Sequence, residues 1–155
     1  MSTLIRQATH DGDWDRAKFL VQAYLDWVDL DLSFQHIDQE LASLSLKFAR
    51  PAGNFFLANL HGKDVGCVGC WRLNQHDCEM KRLYVSPAAR GNKLGEQLIQ
   101  AVIDHARAQG YKRVLLDTIS KMSHAHSLYK RMGFIEAEAY CFNPMPDVRY
   151  MQCLL

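Results

Sequence analysis

Short apolar runs that favour strands alternate along the chain with longer stretches in which apolar residues recur at helical spacing. TLIRQAT near the N-terminus predicts a first strand, and the apolar positions from Trp14 to Val28 predict a helix after it. A second helical stretch, Phe34 to Phe48, ends before Pro51, because a proline disfavours helical backbone in the residue that precedes it. The N-terminal third is therefore expected to form a strand and two helices.

The middle of the chain predicts three consecutive strands and a long helix. NFFLANL and DVGCVGCWRL are strand-like runs joined by HGKD, a composition typical of a hairpin. The run from Met80 to Val85 favours the third strand, which Pro87 ends because proline has no N–H group to donate to a strand ladder. The helix after it ends at Gly110. Its apolar positions are Leu94, Leu98, Ile99, Val102, Ile103 and Ala106.

The C-terminal part predicts a strand, a short helix and two final strands. RVLLDTI favours the strand, SHAHSLYKRM favours a helix that stops at Gly133, and two strand candidates surround the turn-forming NPMP. The order strand-helix-helix-strand-strand-strand-helix-strand-helix-strand-strand predicts a mixed α/β fold. We expect one domain over residues 1–155, a length typical of a single domain.

Composition narrows the class of protein. The 48% hydrophobic and 23% charged residues are ordinary for a globular domain, and a net charge of +1 gives no general reason to expect nucleic-acid binding. No stretch approaches the ~18 apolar residues of a membrane span. Five cysteines without a recognisable signal peptide are best read as reduced thiols. The expectation is a cytoplasmic protein that binds neither nucleic acid nor membrane.

The turn between the third central strand and the long helix carries the most specific chemical signal. It reads ARGNKLG, with Gly91 and Gly95 beside the cationic Arg90 and Lys93. Backbone N–H groups at a helix N-terminus lack intrahelical partners and can bind an anion, aided by the helix dipole. The spacing is that of neither a Walker A loop nor a dinucleotide-binding fingerprint. The turn predicts a phosphate site, with an ordinary helix start and solvated charges as the alternative.

The turn resembles the acyl-CoA pyrophosphate loop R/Q-x-x-G-x-G/A of the GNAT superfamily of N-acyltransferases. Arg90 holds the first position of that pattern and Gly95 the last, while Lys93 stands where the middle glycine usually lies. The order of elements is also the GNAT order, and the C-terminal YCFNPMPDVRYMQCLL resembles the ending of a bacterial subgroup of mostly unassigned substrate. The resemblance implies a GNAT fold, with a twisted, mainly antiparallel sheet that is flanked by helices and whose central strands splay apart to admit acetyl-CoA.

The same resemblance implies a set of cofactor contacts. EMKRLYV is similar to the GNAT strand whose backbone pairs with the pantetheine arm, which implies that the Val85 N–H group polarises the acetyl carbonyl. SHAHSLYKRMGF resembles the pattern N-x-x-A-x-x-L-Y-x-x-x-G-F, with Met122 in place of an asparagine that often contacts the cofactor. The predicted cofactor residues are Leu83, Tyr84, Val85, Arg90, Gly91, Asn92, Lys93, Leu94 and Gly95.

Acetyl transfer to an amine requires a base and benefits from an acid. An amine with a lysine-like pKa near ~10.4 is protonated at neutral pH, and only its neutral form is a nucleophile. Glu79 is the candidate base, acting directly or through a water, because it lies one strand-length before Val85. Tyr129, in register with a family tyrosine, is the candidate proton donor to the leaving thiolate. The alternatives are a salt-bridged Glu79 and a Tyr129 that only packs among apolar neighbours.

A structural zinc site is a separate hypothesis, because CxxC with a nearby His and Cys supplies four suitable ligands, Cys67, Cys70, His76 and Cys78. Strand positions three apart point to opposite faces, so Cys67 and Cys70 would converge only across a bend or bulge. Small core cysteines are the commoner outcome. No metal is therefore expected.

The predicted function is transfer of an acetyl group from acetyl-CoA to a primary amine by direct attack in a ternary complex, with free cysteines leaving a covalent route open. The alternative is a non-catalytic acyl-CoA-binding or interaction module, suggested by Lys93 and Met122. The acceptor is a small-molecule or peptide amine of undetermined identity, and the final strands could pair across a homodimer. Four aromatic residues either line an acceptor pocket or belong to the core, which is commoner: Trp14, Tyr24, Trp27 and Phe34.

Overall fold

A computed structural model describes residues 3–32, 35–120 and 123–155, and within these ranges seven strands form one sheet. The strands are β1 Thr3–Gln7, β2 Asn54–Leu60, β3 Lys63–Arg72, β4 Asp77–Val85, β5 Arg113–Thr118, β6 Ile135–Glu136 and β7 Arg149–Leu154. Their spatial order is β1-β2-β3-β4-β5-β7-β6. Only the β4–β5 pair is parallel, so the predicted mixed, mainly antiparallel sheet is confirmed.

Helices flank the sheet. In the described ranges they are α1 Asp11–Val28, α2 Ile37–Ala42, α3 Leu44–Lys47, α4 Leu94–Ala108 and α5 Ser123–Arg131, with a 3-10 turn at Pro87–Ala89. No helix in the described part of the chain is both long and apolar enough to cross a membrane.

The second predicted helix is interrupted, which corrects the single helix expected from Phe34 to Phe48. Ser43 has φ −148° and ψ 46°, which is not helical backbone, and it separates α2 from α3. Its hydroxyl donates to the Gln39 carbonyl at 3.0 Å and its N–H donates to the Glu40 carbonyl at 3.1 Å. Such local bonds compete with the helical pattern and explain the break. Phe34 lies outside the described residues.

The sheet separates two apolar cores. One face packs against α4, around Met80 and Leu98, and all six predicted apolar positions of α4 are buried there. The opposite face packs against α1 and α3, around Val21 and Phe55. β4 contributes Met80 to the first core and Tyr84 to the second. Residues four apart on a regular strand share a face, so the change of face reflects the extra residue of a β-bulge at Arg82 between them.

The central strands β4 and β5 part after three residue pairs. Asp77, Cys78 and Glu79 pair with β5, and no pairing continues beyond Glu79. Farther along β4, Arg82 has φ +62° and the register with β3 shifts, which marks a β-bulge. A bulge bends the strand that carries it, so β4 turns away from β5. The predicted splay of the central strands begins after Glu79.

A buried ion pair holds the bulge against α2. The Arg82 guanidinium donates to both carboxylate oxygens of Glu40, at 2.8 and 2.9 Å, and to Gln35 Oε1 at 2.5 Å. Both charged side chains are only 2% exposed. A two-pronged arginine–carboxylate contact is among the strongest polar contacts available to a protein, so α2 and the residues before it are tied to β4.

The four cysteine and histidine residues of the zinc hypothesis do not converge. Cys67 lies in the second core, whereas Cys70 and Cys78 lie in the first, on the other side of the sheet. Within the described ranges, no group of three or more His, Cys, Asp or Glu side chains could hold a metal ion. The cysteines act as small core residues here, the commoner of the two expectations.

Half-buried His105 on α4 is expected to make stability depend on pH. Its Nε2 atom is buried without a hydrogen-bond partner in the described ranges, and burial lowers its pKa, opposed in part by the Ala52 backbone. The unfolded chain therefore takes up this proton at a higher pH than the folded chain. The free energy of unfolding should fall as pH drops below about 6.5, the usual histidine value. Thermal unfolding across that range should show a smaller loss for His105→Gln than for wild type; an equal loss would contradict this assignment.

Candidate active site

A cavity of about 490 Å³ opens where β4 and β5 part. Its walls are the free ends of the two strands, with Leu83 on β4 and Leu116 on β5. Residues of α1, such as Trp27, line it from one side of the sheet, and residues of α4 and α5, such as Leu94 and Leu128, line it from the other. The splay therefore creates one cavity that reaches both faces of the sheet.

The start of α4 supplies backbone donors at one end of this cavity. Gly91 has φ +91° and Lys93 has φ +59°, so the chain makes a left-handed turn into the helix. Lys93 is the residue before the first helical position, and its carbonyl accepts the N–H of Gln97 at 3.2 Å. The N–H groups of the first helical residues have no acceptor within the helix. Lys93 thus adopts a conformation that glycine favours, which is why the GNAT pattern has glycine at this position.

Cationic side chains surround these donors. Arg90 stacks 5.1 Å from the centre of the Trp27 ring, and its Nε lies 3.3 Å from the Val85 carbonyl oxygen. Asn92 does not line the cavity; its amide donates to the Ala89 carbonyl at 2.8 Å and shapes the turn. The turn therefore combines helix N–H groups with the positive charges of Arg90 and Lys93, as an anion site requires.

Gly95 allows α5 to approach the start of α4. A Cβ atom at Gly95 would lie 3.0 Å from Leu128 Cδ2, closer than ordinary van der Waals contact. At the same junction Arg131 of α5 donates to Glu96 at 2.8 Å, a largely exposed pair. The small residue thus brings both helices to the cavity wall.

The main chain of β4 faces the cavity at alternate residues. The Ser86 N–H group donates to Val65 on β3 at 2.8 Å. Successive residues in an antiparallel pair direct their N–H and C=O groups to opposite strand edges, so those of Leu83 and Val85 point away from β3. That edge faces the cavity beyond the splay. Both residues therefore offer backbone groups to an extended ligand.

Glu79 lies at the point where the strands part, behind the cavity wall. Its side chain is 6% exposed and does not line the cavity. Trp71 Nε1 donates to one carboxylate oxygen at 2.7 Å, and the Tyr140 hydroxyl donates to the other. Burial and Glu79 itself raise the pKa of Tyr140, so Tyr140 remains a proton donor. Glu79 is thus held by two donors and could exchange a proton with the cavity only through an intervening group.

Asp117 is a carboxylate on the cavity wall that the sequence-based prediction omitted. Lys81 Nζ lies 3.5 Å from Asp117 and 3.8 Å from Glu79, and so links the two. Asn143 Nδ2 donates to Asp117 at 3.0 Å and places the segment between β6 and β7 against the splay. A single acid directly after the apolar residues of the β5 run RVLLDTI was the available signal.

Tyr129 lines the cavity from α5. It is 7% exposed and packs 5.8 Å from the Phe134 ring, centroid to centroid. Burial raises its pKa, with smaller contributions from Tyr24 and Asp117. The hydroxyl is therefore protonated at neutral pH, the state that a proton donor needs.

Eight of the nine predicted cofactor residues line the cavity together with Tyr129, whereas Asn92 and Glu79 lie outside its wall. Of the aromatic candidates, Tyr24 and Trp27 line the cavity, while Trp14 packs against Phe55 at 5.9 Å. Met122 is not among the described residues. The predicted site residues thus converge on one cavity, apart from Asn92 and Glu79.

Comparisons with known proteins agree with this geometry. Residues 15–134 match a model described as the acetyltransferase (GNAT) family. A Schizosaccharomyces pombe protein, described as an uncharacterized N-acetyltransferase, is 42% identical over 142 residues, covering 90% of this chain and 87% of its own. An acetyltransferase structure from Streptococcus agalactiae superposes with a TM-score of 0.80 at 24% identity, covering 99% of this chain and 98% of its own.

A GNAT family acetyltransferase from Elizabethkingia anophelis, solved with acetyl-CoA bound, has a TM-score of 0.68 at 20% identity and covers 99% of this chain and 98% of its own. These structures share the fold, and the family match covers most of the chain. The chain therefore belongs to the GNAT family of acetyltransferases and is an acetyl-transferring enzyme.

Proposed function

We propose that this enzyme transfers an acetyl group from acetyl-CoA to a primary amine by direct attack in a ternary complex. The observation that carries the proposal is the single cavity that joins a cationic helix start to a carboxylate-lined region across the splayed strands. A phosphorylated cofactor can enter from the α4 side while an amine enters from the α1 side. The two reactants then meet between β4 and β5, which supplies the proximity that catalysis needs.

The cofactor would lie along the predicted residues. Its pyrophosphate would accept hydrogen bonds from the first N–H groups of α4, with Arg90 and Lys93 adding charge. The pantetheine arm would follow the cavity-facing edge of β4, where Leu83 and Val85 offer main-chain groups. In this position the Val85 N–H would polarise the acetyl carbonyl. The structure from Elizabethkingia anophelis, which shares the fold and was solved with acetyl-CoA bound, supports acetyl-CoA as the ligand.

The state of the cysteines favours direct attack over a covalent acyl-enzyme. Burial raises the pKa of Cys70 and of Cys141 to about 12, and raises the pKa of the other three thiols as well. A protonated thiol is a poor nucleophile. Within the described ranges, no cysteine lines the cavity. The amine nitrogen would therefore attack the thioester carbonyl itself.

Two proton transfers accompany the reaction. The amine loses a proton before or during attack, the new C–N bond forms, and the C–S bond breaks to release CoA as a thiol. We assign the first proton to Glu79, which would be reached from the cavity through a water, past Lys81 and Asp117. We assign the second proton to Tyr129, whose side chain lines the cavity and whose raised pKa keeps the hydroxyl protonated.

Glu79→Gln is expected to lower kcat about 10–100-fold and to change the pH dependence of kcat, because a carboxamide cannot accept the amine proton. The substitution keeps the shape of the side chain and its Trp71 contact. Steady-state rates across pH, with acetyl-CoA binding measured in parallel, provide the check. A pH–rate profile identical to that of wild type would remove Glu79 as the base.

The proposed function itself is tested by amine-dependent release of CoA. Purified protein would be incubated with acetyl-CoA and a broad panel of amines, including peptides, polyamines, amino acids and arylalkylamines. The release of free thiol would be followed, and acetylated products would be identified by mass spectrometry. Transfer to at least one amine is the expected result. Bound acetyl-CoA with no transfer to any amine would instead favour the non-catalytic module. Homodimer formation and a cytoplasmic location remain predictions.

A further inference from the structure

The part of the cavity opposite the α4 start, here called the acceptor end, has an excess of negative charge. It is lined by Tyr24, Leu32, Lys81, Asp117 and Met145, with Arg82 at its edge. Trp27 also lines it and carries the stacked Arg90, so its ring lies where the two ends of the cavity meet. Two cations, Lys81 and Arg82, face three carboxylates in or directly behind this wall: Glu40, Glu79 and Asp117. These five groups carry a net charge of one negative unit, with Glu40 and Glu79 directly behind the wall and Arg90 assigned to the α4 end.

Each cation is already paired with a carboxylate of the protein. Arg82 uses its Nε and both terminal nitrogens on Glu40 and Gln35, and its side chain is 2% exposed. Lys81 lies between Glu79 and Asp117 and is 8% exposed. A substrate carboxylate here would meet Asp117 without gaining an unmatched positive partner, and a like charge in a partly buried site is costly.

The remaining wall is apolar and aromatic. Tyr24 and Trp27 come from α1, Leu32 follows α1, and Met145 comes from the segment before β7. Aromatic and apolar walls with a few polar groups are typical of pockets that orient a small molecule. Such walls would bind an apolar body, while Asp117 attracts a single ammonium group.

We propose that the acceptor is a monocationic primary amine on an aromatic or apolar body, with no carboxylate beside the amine. This inference rests on the proposed function, because it names the substrate class for the same site. The negative acceptor end and the cationic α4 end also separate the two reactants by charge, so the amine and the CoA phosphates each favour their own entrance.

Three compounds with the same phenyl body test the inference. Phenethylamine carries only the amine, phenylalaninamide adds an uncharged substituent of similar bulk to a carboxylate, and phenylalanine adds the carboxylate. Because their amine pKa values differ, kcat/KM would be compared at the plateaus of the pH profiles. We expect phenylalanine to fall about 30-fold or more below phenylalaninamide, the cost of a like charge in this site.

Asp117→Asn provides the matched variant, because it removes the excess charge and keeps the shape. It should lower kcat/KM for phenethylamine and reduce the ratio between phenylalaninamide and phenylalanine at least ~5-fold. Glu96→Gln removes a carboxylate from the other end of the cavity and should leave this ratio unchanged. Acetyl-CoA binding by Asp117→Asn, followed by thermal shift, reports whether the variant is folded.

The outcomes separate this inference from the function it rests on. Equal use of phenylalanine and phenylalaninamide, or an unchanged ratio in Asp117→Asn, overturns the inference and leaves acetyl transfer to amines intact. The inference is also overturned, and acetyl transfer to amines also stands, if none of the three compounds reacts while another class in the broad amine panel does. Failure of every amine overturns both.

Discussion

Replacing Tyr129 by phenylalanine is expected to lower kcat about 100-fold or more, the usual size of a general-acid contribution. The ring should keep its packing against Phe134, since only the hydroxyl is removed. Burial raises the pKa of Tyr129, so the hydroxyl is protonated at least up to its usual value near ~10, and kcat should show no alkaline loss from this group below that pH. Steady-state kinetics provide the measurement, with acetyl-CoA affinity expected to stay within a few-fold of wild type.

Tyr111→Phe is the matched control for that variant. Tyr111 is also 7% exposed, and its hydroxyl donates to the Ala52 carbonyl at 2.7 Å, away from the cavity. Removing this hydroxyl should lower the free energy of unfolding by about 0.5–1.5 kcal/mol. It should leave kcat unchanged. If Tyr129→Phe turned over as fast as Tyr111→Phe, the role of Tyr129 would be packing alone.

Removing Glu40 is expected to produce the largest loss of stability among these variants. Glu40→Ala leaves the Arg82 guanidinium buried without its carboxylate, with Gln35 and Tyr24 as its remaining polar side-chain partners among the described residues. Breaking a buried pair on one side typically costs about 3–5 kcal/mol, because the remaining charge is not compensated. At about 2–4 °C per kcal/mol for a chain of this size, the unfolding midpoint should fall by roughly 6–20 °C.

Two further variants show whether the loss of stability in Glu40→Ala comes from the burial of the remaining Arg82 charge. Glu96→Gln breaks the exposed pair with Arg131 and should cost less than about 1 kcal/mol. The double variant Glu40→Ala/Arg82→Ala removes both charges and should recover part of the stability lost in Glu40→Ala. Equal losses in Glu40→Ala and Glu96→Gln would mean that the Arg82–Glu40 pair does not hold α2 to the sheet.

Much of the fold could be predicted from local patterns. The periodicities of apolar residues predicted the order of strands and helices. Each element buries one face, and the spacing of its apolar residues shows which residues lie on that face. The turn from Arg90 to Gly95 was recognisable because its signal is local: glycines, positive charges and a helix start lie within a few residues. The same local character explains why eight of the nine predicted cofactor residues line the same cavity.

Part of the rest depends on contacts between distant parts of the chain. Tyr140 contacts Glu79 although 61 residues separate them, and no local pattern reports such a pairing. The bulge at Arg82 also has no sequence signal, because a non-glycine residue at positive φ is uncommon and is held there by tertiary contacts. The break at Ser43 divides an otherwise continuous apolar pattern through local hydrogen bonds. Asp117 had a signal, an acid within a buried strand, that pattern reasoning centred on Glu79 did not use.

The central claim is that the cavity between β4 and β5 binds acetyl-CoA through the cationic start of α4. A thermal-unfolding scan with acetyl-CoA, and with acetyl-pantetheine as a ligand that lacks the pyrophosphate, tests it without knowledge of the acceptor. Acetyl-CoA at ~100 times its Kd should add about 2.7 kcal/mol and raise the midpoint by ~5–10 °C. Acetyl-pantetheine at the same concentration should raise it far less. No shift at millimolar acetyl-CoA, or equal shifts from both ligands, would contradict the account.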